Sequence, residues 1–285
     1  MNKARELFSK FLGYPLLSSI LIGAVYFIIR KLLIMPFQGV LESELTGEIV
    51  IFCVAVLPAV GIALLVKHTI QNGYVLGLTG RKFGKCVLFG WFFLLTSLPI
   101  LIVGVTVPQY SSKITVMGTL IAFIGAATNG FAEEFLYRSF IANNMMRVWG
   151  SGKYGIFAAI LCSGLLFGAS HGVNGLFVGF TPSVLLQMLY TCGMGFVFGA
   201  MYLRTRNLWG CIFIHTLIDF SSFFLSSGTA SQESLIQLLT APVDPVSLIS
   251  KVAMTSICIL IALFLVRKSK QAEIRANWNL AETNA

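Results

Sequence analysis

Eight apolar runs, each close to the length that crosses a bilayer, recur along this 285-residue chain and leave room for few other architectures. They lie at about 13–34, 48–66, 86–107, 115–142, 154–171, 183–203, 207–226 and 246–266. A bilayer's hydrocarbon core is about 30 Å thick, which roughly 20 helical residues span. A helix in a soluble fold needs a polar face, and most of these runs lack one. Charged residues make up 11% of the chain against 56% hydrophobic, where soluble domains carry roughly 25% charge. The expected fold class is therefore an all-α polytopic membrane protein of about eight transmembrane helices. With no long polar linker, low-complexity tract or convincing internal repeat, residues 1–285 read as a single membrane domain.

The net charge of +9 is distributed by side rather than gathered for a polyanion. Lys3, Arg5 and Lys10 precede the first run; Lys67, Arg81, Lys82 and Lys85 separate the second from the third. Arg147 and Lys153, then Arg204 and Arg206, occupy the next alternate connections, and Arg267, Lys268, Lys270 and Arg275 follow the last run. The other connections are poor in Lys and Arg, and some are acidic (Glu42, Glu44, Glu48; Glu233, Asp244). This is the positive-inside pattern, with Arg30 and Lys31 as mild exceptions. It puts both termini in the cytoplasm and the protein in the cell membrane as a multi-pass chain. The expected partner is the lipid bilayer, not nucleic acid. The apolar run Leu12–Ile29 is long and no clear cleavage site follows it, so it reads as a retained span and not a signal peptide. The six cysteines fall in or beside apolar runs without C-x-x-C spacing and read as small core residues. Gly164/Gly168 and Gly195/Gly199 have the GxxxG spacing of closely packed membrane helices, and Gly172–Pro182 reads as a short outer connection or a re-entrant piece.

The informative residues are the few polar ones inside the runs. Ile114–Ala132 carries no charge and ends at two adjacent glutamates, Glu133 and Glu134, with Arg138 following. A carboxylate at membrane depth costs about 3 kcal/mol on insertion scales, so a pair needs a partner or a task. Asp219 is the other acid well inside a run, and His171 and His215 lie in or at the end of runs. Glu134 and Arg138, four apart, share a helix face and suit an ion pair. Glu133 is rotated by about 100° and is left for chemistry. His215 and Asp219 also share a face, so Asp219 suits orienting the imidazole or accepting a hydrogen bond from substrate. A glutamate can act as general base toward water, and histidines with an acid or amide can stabilise the oxyanion formed at a peptide carbonyl. Glu133, His171 and His215 are also a zinc-type ligand set, although H-E-x-x-H is absent. Ser170, adjacent to His171, cannot face it on a helix and has no third member. Counting along the fifth run places His171 further outward than Glu133 and His215.

At these positions the chain resembles a known family. The pattern is E-E-x-x-x-R at Glu133–Arg138, F-x-x-x-H at Phe167–His171, and H-x-x-x-(N/D) at His215–Asp219, preceded by Asn207-Leu208-Trp209-Gly210. It is similar to the CAAX protease and bacteriocin-processing (CPBP) intramembrane endopeptidases, which include the type II CAAX prenyl endopeptidases. The resemblance covers about 115–225. It implies a hydrolase in which Glu133 activates water, Glu134 and Arg138 support it, and His171 and His215 complete the site. Asp219 stands where the family often has Asn. A divalent metal such as zinc is the one cofactor the family brings into question. The implied partner is a peptide or protein substrate in or at the membrane, with CAAX-type processing, bacteriocin maturation or self-immunity as contexts. A non-catalytic partner of a sensor kinase or receptor and a proton-coupled transporter are the alternatives.

Overall fold

The computed structural model describes residues 3–41, 44–70, 74–225 and 232–280. Glu42 and the segment 226–231 of the outer connection lie outside them. In chain order the helices are α1 (Lys3–Leu12), α2 (Pro15–Ile34), α3 (Glu44–Ile70), α4 (Phe83–Phe89), α5 (Trp91–Thr106), α6 (Pro108–Ser111), α7 (Val116–Glu134) and α8 (Asn143–Trp149). There follow α9 (Gly155–Ser170), α10 (Gly175–Val178), α11 (Pro182–Thr205), α12 (Leu208–Leu225), α13 (Gln232–Thr240), α14 (Pro245–Leu265) and α15 (Lys268–Asn277). No strand occurs among the described residues.

Long apolar side chains such as Leu57, Leu95, Ile102, Leu260 and Phe264 point outward. Lipid, unlike water, does not penalise that exposure. Six helices are individually long and apolar enough to cross a membrane, and α4 with α5, bent by 77°, makes up to seven. The sequence expectation of eight differs at α12, which is apolar but shorter. That helix covers nearly all of the expected run 207–226. Leu208 donates its backbone N–H to the Gly77 carbonyl (2.8 Å), and the Asn207 amide donates to Thr79 and Arg81 carbonyls (2.5 and 2.9 Å). Thus α12 starts on a folded strap.

That strap, residues 74–79, looks like part of an ordinary loop in the sequence and is tucked into the protein instead. Tyr74 and Leu76 are buried. Tyr74 donates its hydroxyl to the Ser139 carbonyl, Ser139 donates to the Leu76 carbonyl (3.1 Å), and Asn143 donates to Val75 (2.8 Å). Gly77 has φ +83°, and a Cβ there would approach the Tyr202 ring to 2.9 Å; only glycine suits both the angle and the space.

Two antiparallel pairs position the site. The first is α7 against α12, recorded by Asn129 beside Asp219 and Glu134 beside His215. The second is α9 against α11, where the two GxxxG spacings meet. A Cβ on Gly195 would lie 2.9 Å from the Gly164 Cα, so the backbones touch because both positions lack side chains. Near the last connection, α15 folds back: Trp278 donates to the Leu203 carbonyl (2.9 Å), and Arg204 donates to the Leu265 carbonyl (2.7 Å) and pairs with Glu273 (3.1 Å).

The fourth run extends beyond its expected end. Helix α7 continues through a π-helical segment, Phe135–Ala142, into α8, giving one helical stretch from Val116 to Trp149. Trp149 and Gly155 flank a tight turn, so the expected depth mismatch of His171 disappears. Glu134 stands 15 residues before Trp149 and His171 stands 16 after Gly155, or about 22 and 24 Å at 1.5 Å per residue. All six cysteines are free, and Cys86 and Cys211 approach to 3.8 Å between sulfurs.

Candidate active site

The site is built from the facing surfaces of α7 and α12, with the π-helical segment beneath. Widening a helix to i→i+5 bonding is rare and frequent at functional sites; here it begins one residue after the glutamate pair. Glu134 is fully buried and its Oε1 meets two partners: Arg138 Nη1 at 3.1 Å and His215 Nδ1 at 2.8 Å. The ion pair with Arg138 is the one the four-residue spacing predicts. The bond to His215 is not, and it assigns the imidazole. A carboxylate only accepts, so Nδ1 carries the proton and Nε2 is turned to the other side. The orienting acid of His215 is thus Glu134, not Asp219.

Arg138 is wrapped in aromatic and backbone groups. Its guanidinium lies 4.6 Å from the Phe167 ring centre and 5.0 Å from that of Phe198, and it donates to the Gly195 carbonyl at 3.3 Å. Phe198 also stacks on the His215 ring at 5.3 Å, while Phe167 meets it edge-on at 5.9 Å. The same two rings therefore fix the cation and the imidazole together.

On the other side of His215 the site is open. The Glu133 and Asp219 side chains are 26% and 22% exposed, against 0% for Glu134 and 2% for Arg138. His215 Nε2 lies 3.7 Å from Glu133 Oε2 and 4.0 Å from Asp219 Oδ2, both beyond direct hydrogen bonding. Glu133 Oε2 is buried and has no hydrogen-bond partner among the described residues. Asp219 instead accepts a 2.8 Å bond from the Asn129 amide. Asn129 is absent from the motif reading; its signal in the sequence is its position four residues before Glu133, on the same helix face.

His171 belongs to the outer layer of this cluster. Its Nδ1–H donates to the Phe167 carbonyl at 3.0 Å, which leaves Nε2 as the available nitrogen. Its ring meets Phe167 at 5.2 Å, so Phe167 touches both histidines. Asp219 lies within electrostatic range of both. Ser170 donates to the Phe167 carbonyl at 2.7 Å and is not directed at His171. The candidates Glu133, Glu134, Arg138, His215 and Asp219 are thus brought into one cluster, with His171 one ring away.

Among the described residues no three His, Cys, Asp or Glu side chains are grouped to hold a metal ion. In the Glu133, His171 and His215 set the Nδ1–H bond to Glu134 leaves His215 Nε2 as its one donor, the orientation a ligating histidine has, but the three side chains are not grouped closely enough to hold zinc as they stand. A groove of about 410 Å³, walled by Phe83, Phe123, Phe131, Trp209 and Phe213 among others, is a separate feature. Its wall residues Ala127 and Phe131 lie about 200° round α7 from Asn129 and Glu133, at roughly 100° per residue. It opens on the opposite edge of the α7–α12 pair.

Residues 115–221 match the family model for the Rce1-like type II CAAX prenyl endopeptidases. That segment holds every residue of the cluster, from Asn129 to Asp219. No curated protein and no solved structure matches the chain. The match and the three motifs agree: in a multi-pass helical membrane chain, residues 115–221 are similar to the Rce1-like type II CAAX prenyl endopeptidases, a family of proteases.

Proposed function

We propose that this chain is an eight-span intramembrane endopeptidase of the cell membrane, with both termini in the cytoplasm, that hydrolyses a membrane-associated peptide or protein with glutamate-activated water. The observation that carries the reading is the unbonded, buried Oε2 of Glu133 facing His215 Nε2, while Glu134 holds the far side of that imidazole. Glu133 takes a proton from water as the water oxygen bonds to the scissile carbonyl carbon. The carbonyl oxygen becomes an oxyanion, and His215, donating from Nε2 in its protonated form, stabilises it. Collapse breaks the C–N bond, and the proton held by Glu133 passes to the leaving nitrogen. The products are a new carboxylate and a new amine. Glu134 and Arg138 touch no reacting atom; they fix the imidazole and compensate charge in a dry layer. His171 lines the approach with its Nε2.

No step passes through a metal, since the donor set does not form a three-ligand group. The positive-inside charge pattern supports the cytoplasmic termini, and the apolar exterior supports a substrate that reaches the site from within the membrane. The purified full-length chain, reconstituted in vesicles and offered internally quenched apolar peptides, tests the reading. Cleavage by the wild type that Glu133→Gln abolishes, with the unfolding transition unchanged, is the expected result. Equal cleavage by both proteins overturns the mechanism.

A further inference from the structure

The acid at 219 poses a chemical problem. Where an oxyanion is to form, an ionised carboxylate repels it, and an amide is the useful group. The structure supplies that amide from the opposite helix. Asn129 and Glu133 are four apart on α7; His215 and Asp219 are four apart on α12. Because the helices run antiparallel, Glu133 faces His215 and Asn129 faces Asp219, making a four-cornered site with a rise of about 6 Å along each edge.

We propose that Asn129 is a further catalytic residue: its side-chain amide donates to the oxyanion, and Asp219 is the positioning residue that aims it. The inference rests on the endopeptidase reading above. An amide NH2 has two N–H donors. One is held by Asp219 Oδ2 at 2.8 Å, and no other partner of the amide nitrogen occurs among the described residues. A carboxylate only accepts, so Asp219 draws the NH2 end of the amide toward itself and turns the carbonyl end away. The second N–H is thereby kept at the open side of the site, between Asp219 and Glu133, whose side chains are the partly exposed ones. Water activated at Glu133 and a donor one helical turn away at Asn129 approach a scissile carbonyl from its two reacting ends, the carbon and the oxygen. The acid at 219 thereby serves the role of an amide without carrying one.

The test uses reconstituted full-length protein and an internally quenched apolar peptide whose cleavage by the wild type depends on Glu133. Removing one oxyanion donor lowers kcat by about 100-fold or more. Asn129→Ala is expected to do this with KM within about threefold of wild type. Asn129→Asp, which sets two carboxylates face to face, is expected to fall at least as far. The exchange N129D/D219N restores an amide–carboxylate pair with its donor on α12 and is expected to return kcat to within about tenfold of wild type. Unfolding midpoints in detergent accompany each variant. Where Asn129→Ala fails to fold, the exchange decides: a folded exchange variant that recovers kcat supports the role, and one still 100-fold down overturns it. Glu133-dependent cleavage indifferent to Asn129→Ala overturns the role of Asn129 alone. Cleavage indifferent to Glu133→Gln overturns the underlying mechanism.

Discussion

Replacing Glu134 by Ala is the perturbation whose cost the structure specifies best. Its Oε1 is the anionic partner of a guanidinium only 2% exposed, and the acceptor for His215 Nδ1. Arg138 would keep its bond to Gly195 and its two ring faces, but these exist already and cannot replace the lost charge. Breaking a buried pair by removing one partner costs about 3–5 kcal/mol, because a charge stays buried without compensation. A 285-residue membrane chain does not unfold for that alone, yet the shift is readily measured by SDS titration in mixed micelles with tryptophan fluorescence. The double variant Glu134→Ala/Arg138→Met removes both charges and should recover most of the loss, leaving a cavity cost of about 1–2 kcal/mol. Glu133→Ala, partly exposed and unbonded, should move stability by less than about 1 kcal/mol. Activity separates the same variants: both Glu134→Ala and Glu133→Ala lose cleavage, the first with stability and the second without. A Glu134→Ala protein within about 1 kcal/mol of wild type, or a double variant no better than the single, would refute the reasoning.

Other expectations follow from particular contacts. Gly195→Leu drives a side chain into the Gly164 backbone, so it should separate α9 from α11 and lower stability by several kcal/mol, read in the same titration. Chelation by 1,10-phenanthroline should leave Glu133-dependent cleavage intact; loss of cleavage that zinc restores would reverse the metal-free assignment. Glu273 gives a pH expectation at the α15 clasp. Burial alone would raise its pKa, but the Lys85 hydrogen bond and the Arg204 guanidinium outweigh that and hold it below its usual 4.5. A depressed carboxylate contributes stability above its unfolded value, and that contribution is lost as pH falls through the folded value. The docking of Trp278 should therefore weaken below about pH 4.5, visible in its fluorescence, and Glu273→Gln should abolish that acid transition.

What the sequence conveyed was set by how local each signal is. Apolar run length is a local property, and every expected run has a helix within it. Helical phase correctly paired Glu134 with Arg138, since four residues along one helix need no knowledge of the fold. Long-range pairing was less legible. Nothing local says that His215 takes its orienting bond from Glu134, 81 residues away, instead of from Asp219 on its own helix. Asn129 carries no charge and was hidden in an apolar run. The strap at 74–79 is too short to read as a span and passes for a loop, and its bonds to Ser139, Asn143 and Leu208 show it to be structural. Lys251 carries a signal of its own: it is a lone charge inside the last span, its ammonium 4.1 Å over the Tyr190 ring.

The central claim is that one carboxylate of an adjacent pair performs the hydrolysis. Comparative membrane peptidomics of cells carrying the wild-type chain or Glu133→Gln tests it most directly. The account predicts a set of peptide termini present with the wild type and absent with the variant, at equal protein abundance. Identical termini in both would contradict it.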